Sequence, residues 1–180
     1  AWMKTNGEMN NGGKLKPECR QVWADHYARW IQEVEASGVP IWGLTVQNEP
    51  AAVQVWDSCI YTAEEERDFV RDYLGPALRA AGLGDKKLVV WDHNRELAFE
   101  RGATVLSDPD AAQYVWGTGV HWYSGDYFDQ LEQLMRAFPD KHVMFTEGCW
   151  EGGVKLGQWD RGTRYAHHMI GDLNHGCVAW

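Results

Sequence analysis

The chain has 180 residues, 44% hydrophobic and 24% charged, a balance that supports a packed core and excludes disordered and membranous classes. Its 17 basic residues against 26 acidic ones give a formal charge of -9, which repels phosphate backbones and argues against nucleic acid as a partner. No run approaches the ~18 consecutive apolar residues of a membrane span, and no segment reports a cellular compartment.

Ala1-Trp2 at one end and an apolar run over 177–180 at the other read as the edges of a piece of something larger. Between about 17 and 37, Trp23, Tyr27, Trp30, Ile31 and Val34 recur at helical spacing, Gly38 stands where a helix-ending glycine would, and Pro40 forbids continuation. A β-rich run follows at 41–46, and then Thr62 with Glu65 forms a capping box opening a helix that buries Phe69, Val70 and Tyr73. Further strands are expected at 88–91, 119–123, 142–146 and 177–180, each short and bounded by turn residues. Phe128, Leu131, Leu134, Met135 and Phe138 mark a helix before 142–146, and Tyr165, Met169 and Leu173 mark one before 177–180. Residues 1–180 show no linker or repeat and read as one domain, or part of one.

Strands separated by crossover helices pair in parallel, and such a sheet is either doubly wound or closed into a barrel. No GxGxxG or GxxxxGK[ST] loop follows the first strands, which removes the main phosphate-binding reason for an open sheet and favours the barrel.

Active sites of barrels lie at the C-terminal ends of the strands, and two carboxylates stand there. Strand 41–46 runs into Gln47-Asn48-Glu49-Pro50, and strand 142–146 runs into Glu147. Glycoside hydrolysis needs such a pair in different protonation states, one carboxyl as acid and one carboxylate as nucleophile. With Glu49 taken as acid/base and Glu147 as nucleophile, the charge of an ionised Glu147 close by would favour the protonated form of Glu49 that the first step needs. Eleven tryptophans supply flat faces of the kind that stack on sugars, although core packing accounts for most of them.

Cys19, Cys59, Cys149 and Cys177 form no CxxC pair, and Cys149 reads as a packing residue. His167 and His168 are neighbours on a helix whose side chains point about 100° apart, so no metal site emerges, and no cofactor is expected.

Asn48-Glu49-Pro50, Thr146-Glu147, His121-Trp122-Tyr123 and Ala1-Trp2-Met3-Lys4-Thr5-Asn6 together resemble glycoside hydrolase family 30, the family of the glucosylceramidases. Leu74-Gly75-Pro76, Asp108-Pro109 and Leu156-Gly157-Gln158-Trp159-Asp160-Arg161-Gly162 extend the resemblance along the chain. It implies a (β/α)8 TIM barrel present in part, with about six of the eight strands, the flanking β-sandwich of the family lying outside residues 1–180. In it Ala1-Trp2 would close strand three, and Trp180 would lie in strand eight. It also implies that Asn48 binds the sugar 2-hydroxyl, that Trp2 stacks in the subsite, that His121 lines it and that Tyr123 positions Glu147. The substrate implied is a carbohydrate or glycolipid with a β-linked terminal glucose, with β-1,6-glucan as the alternative, or a binding fragment without turnover. A secreted or periplasmic setting goes with it.

Overall fold

The computed structural model describes residues 1–180. A 3-10 turn at Pro17–Cys19 runs into helix α1 (Arg20–Ala36), whose inner face is Ala24, Ala28 and Ile31. Trp30, expected in that stripe, is 49% exposed, because it lies about 100° around the helix from Ile31. Gly38 ends the helix as expected, with a left-handed φ of 92° that a side chain would resist.

β1 (Gly43–Thr45) is followed by α2 (Ala63–Phe69), which opens on the expected capping box: Glu65 N donates to Thr62 Oγ1 while Thr62 N donates to Glu65 Oε2. A π-helical turn over Val70–Leu74 and α3 (Gly75–Ala80) lead to β2 (Lys87–Asn94). Then come α4 (Ala98–Leu106), the short α5 (Pro109–Ala112), β3 (Val115–His121), α6 (Phe128–Ala137), β4 (His142–Glu147), α7 (Trp159–Asn174) and β5 (Cys177–Ala179).

All five strands are parallel, and each bonds to the next in sequence, in the order β1-β2-β3-β4-β5. A doubly wound sheet reverses its order at a switch point; this one does not, and it forms part of a TIM barrel wall. Five strands stand where about six are expected, because Ala1 and Trp2 do not close a strand: Lys4 N donates to Ala1 O at 3.0 Å and folds them into a turn. Ile31, Phe69, Val70, Leu74, Leu131 and Leu134 from the helices pack with Leu88, Val90, Val143 and Phe145 from the strands in one cluster. At roughly 1.5–3 kcal/mol for each large apolar side chain buried, this layer fixes the strand positions.

The helix marked by Tyr165, Met169 and Leu173 stands as α7, but its most buried positions are polar. Met169 and Leu173 are exposed, while His168 and Asp172 are buried, because this helix meets the sheet through an ion pair. Asp172 receives a two-pronged contact from the Arg95 guanidinium, with Nε to Oδ1 at 2.8 Å. Arg95 follows directly on β2, so the pair ties the end of that strand to the last helix.

Candidate active site

Parallel pairing delivers the C-terminal ends of β1 to β4 to one rim. Glu49 lies just past β1, Asp92 and His93 near the end of β2, His121 at the end of β3, and Glu147 at the end of β4. The backbone is bent at the points that carry these side chains. The β2–β3 register slips between Trp91 and His93, a bulge that inserts Asp92. Trp91 and Asp92 have φ of 71° and 48°, and Glu49 has 48°, making three of the five non-glycine residues in left-handed conformation. Such residues cost about 1–3 kcal/mol each and persist where surrounding contacts over-determine them. Here Trp91 N donates to Glu66 Oε1 at 2.8 Å, and Glu49 N donates to the Asp92 carbonyl at 3.0 Å, so the bulge also holds Glu49.

The side chains form a connected network. His121 is fully buried, with Nδ1 3.3 Å from Glu49 Oε1 and Nε2 3.1 Å from Asp92 Oδ1. Thr146 Oγ1 donates to the same Asp92 oxygen at 2.6 Å, and Gln54 Nε2 donates to Glu49 Oε2 at 2.8 Å. His121 also pairs in strand register with Glu147, so one imidazole stands between the two strand ends that bear the carboxylates. Tyr123 OH donates to Glu147 Oε1 at 3.0 Å, while Asn94 Oδ1 accepts from Tyr123 N at 3.0 Å. Gly148 is required beside Glu147: a Cβ there would lie 2.4 Å from the Phe145 ring.

These contacts set the charge states. Burial alone would raise the Asp92 carboxyl, yet the hydrogen bonds from His121 and Thr146 outweigh it and hold the group below the usual carboxylate range. Burial pulls His121 down, but the Asp92 hydrogen bond and the nearby charges of Asp92 and Glu147 leave it above the usual imidazole range. His93, with Nδ1 3.8 Å from Glu49 Oε1, is kept below that range by burial, against the pull of Glu49. Burial and then the neighbouring Cys149 and Glu147 raise the Tyr123 phenol, which keeps it a donor.

Glu49, His121, Tyr123 and Glu147 therefore meet at one rim. Asn48 is half-buried beside Glu49, and no protein group engages its side-chain amide, which leaves that amide available to a ligand. Trp2 stands apart from this network: the residue is 66% exposed and borders an apolar cavity of about 160 Å³ that also includes Trp23, Met9 and Gln47. Cys149 is exposed rather than packed, with its N donating to Tyr123 OH at 3.2 Å and its Sγ 3.4 Å from that oxygen.

Sequence reasoning left Asp92, Gln54 and Thr146 without roles. Their positions depend on a bulge and on a loop returning to Glu49. The one available signal was a polar triplet, Asp92-His93-Asn94, at a strand end.

Residues 1–180 match the Glycosyl hydrolase family 30 TIM-barrel domain. Mouse lysosomal acid glucosylceramidase is 37% identical over 99% of the chain, which covers 38% of that protein. The crystal structure of SrfJ from Salmonella typhimurium superposes with a TM-score of 0.94 at 37% identity, covering 99% of this chain and 40% of that one. The endo-beta1,6-glucanase BT3312 superposes with a TM-score of 0.88 at 30% identity, covering 99% and 42%. The chain thus spans about two fifths of the length of the relatives it matches.

Proposed function

The chain belongs to glycosyl hydrolase family 30, and from that membership and the paired rim carboxylates we propose a retaining β-glycosidase acting on a β-linked terminal glucose. One observation carries the reading. His121 lies 3.3 Å from Glu49 and is the register partner of Glu147, which supports placing the two carboxylates on one rim about this imidazole.

In the first step Glu49 gives its proton to the glycosidic oxygen as Glu147 attacks the anomeric carbon; the leaving alcohol departs and a glycosyl ester on Glu147 remains. In the second, Glu49 takes a proton from water, the water oxygen attacks the same carbon, and the ester bond breaks to restore both carboxyls. Tyr123 positions Glu147 through its 3.0 Å hydrogen bond, and Gln54 fixes Glu49 through the other carboxylate oxygen. The Asn48 amide is assigned to the sugar 2-hydroxyl, a contact that strengthens in the transition state. Trp2 is assigned to a more distant part of the sugar or aglycone, in keeping with its exposure. The secreted or periplasmic setting of the resemblance belongs to the same proposal and is checked by cell fractionation.

Glu49→Ala tests the acid/base role: it should spare aryl glucosides with good leaving groups and yield a β-glycosyl azide when azide is added. An α-azide, or equal loss on all leaving groups, contradicts the assignment. The likeness to BT3312 supports a second reading, an endo-acting β-1,6-glucanase. Turnover of β-1,6-glucan without release of glucose from aryl β-glucosides would favour it.

A further inference from the structure

We propose that Glu49, His93 and His121 form a binding site for a borderline-soft divalent cation of the zinc type, and that a cation held there shuts off hydrolysis. One ligand atom of each of these side chains lies within 4.8 Å of the others. Glu49 Oε1 is 3.3 Å from His121 Nδ1 and 3.8 Å from His93 Nδ1. A tetrahedral zinc with bonds of about 2.0–2.1 Å sets its ligand atoms about 3.3 Å apart, the separation that Glu49 Oε1 and His121 Nδ1 already have, while the His93 nitrogen has to close in from 3.8 Å to Glu49 and from within 4.8 Å of His121. Two imidazole nitrogens and one carboxylate oxygen are a donor set that zinc accepts with a fourth position open.

The surroundings prepare each ligand. Asp92 Oδ1 sits 3.1 Å from His121 Nε2, so a His121 bound to zinc would keep its proton on that nitrogen and give up the one on Nδ1 to turn a lone pair to the metal. A carboxylate on the far nitrogen is the outer partner that metal-binding histidines commonly have. Thr146 and Gln54 fix Asp92 and Glu49 in turn. His93 Nδ1 is buried and has no hydrogen-bond partner, an arrangement that costs free energy unless the atom has a ligand to meet. The His93 ring is held by packing against Trp91, with centroids 4.9 Å apart.

Asp126, His167 and His168 are a second group within the same distance, but His168 Nδ1 faces Arg95 Nη1 at 3.2 Å, and that fully buried guanidinium opposes a cation. In the Glu49 group both nitrogens of His121 face carboxylates, at 3.3 and 3.1 Å. The inhibitory half of the proposal rests on the acid/base reading of Glu49: a carboxylate bound to zinc can neither give nor take the proton.

Binding is measured separately from activity, by titrating the purified protein with zinc chloride at neutral pH in a calorimeter. One site is expected. His93→Phe keeps the ring and its packing but removes the ligand, and should weaken binding by more than the roughly 10–100-fold that loss of an outer partner costs. Equal affinity in His93→Phe, or a site lost instead in His167→Phe, overturns the proposal.

Cobalt(II) provides a test on the unaltered protein. An intense visible absorption of four-coordinate cobalt without a thiolate charge-transfer band supports the site. The pale spectrum of six-coordinate cobalt, or a charge-transfer band from Cys149, overturns it. Hydrolysis of an aryl β-glucoside should fall with zinc occupancy, recover on adding EDTA, and in His93→Phe resist zinc relative to that variant's own metal-free rate. Binding lost in His93→Phe with hydrolysis unaffected by bound zinc would uphold the site and sink the acid/base role of Glu49.

Discussion

The buried pair of Arg95 and Asp172 provides a direct measure of how the end of β2 is held. Both residues are fully buried, joined by two hydrogen bonds; Trp180 Nε1 donates to Asp172 Oδ2 at 3.0 Å, and Arg95 also reaches Gly125 O at 3.1 Å. Asp172→Asn keeps the volume and leaves a buried guanidinium with no counter-charge. Removing one member of such a pair costs about 3–5 kcal/mol, against at most about 1 for an exposed pair. At a urea slope of roughly 2 kcal/mol per molar, the midpoint should fall by about 1.5–2.5 M with the slope unchanged. Arg95→Leu with Asp172→Leu removes both charges together, so the double variant should be no less stable than Asp172→Asn. A midpoint shift equivalent to less than about 1 kcal/mol, or losses that simply add in the double variant, would refute the reasoning.

Tyr123→Phe removes the donor to Glu147, a hydrogen bond to a charged group worth about 1.5–3 kcal/mol, and should lower kcat/KM roughly 10–100-fold with little change in stability. Asp92→Asn should lower the His121 titration midpoint seen by NMR. Because the folded value of His121 is raised, its contribution to stability is present below the ordinary imidazole range and lost as pH rises through the folded value. Asp92→Asn should shrink that loss, and an unmoved midpoint would dissociate the pair. Burial pushes Glu66 from 4.5 up to about 7, so between those values the unfolded chain sheds its proton first and stability falls as pH rises. Glu66→Gln should flatten this window, by of order 3 kcal/mol at most, in denaturation curves across pH. Gly148→Ala should displace Glu147 and lower both midpoint and turnover, since its Cβ would meet the Phe145 ring at 2.4 Å.

The alternation of strands and helices was legible because apolar periodicity and capping are local: the Thr62–Glu65 box and Gly38 stand as read. The helix marked by Tyr165, Met169 and Leu173 stands as α7, but its inner face was not legible, because the buried positions His168 and Asp172 are polar and periodicity counts apolar residues only. Glu49 and Glu147 were legible as polar groups that end apolar strands. Asp92 was not, since the left-handed bulge that turns it toward His121 depends on the neighbouring strand β3 and on Glu66 of α2. The same limit hid the relation of His93 to Glu49, for residues on three strand ends share no spacing in sequence.

The central claim is that Glu147 forms the covalent bond to the sugar. Incubation with an activated 2-deoxy-2-fluoro-β-glucoside, proteolysis and mass spectrometry test it most directly. The label is expected on the peptide carrying Glu147, with none on Glu147→Gln. A label on any other residue, or one that persists in Glu147→Gln, would contradict the account.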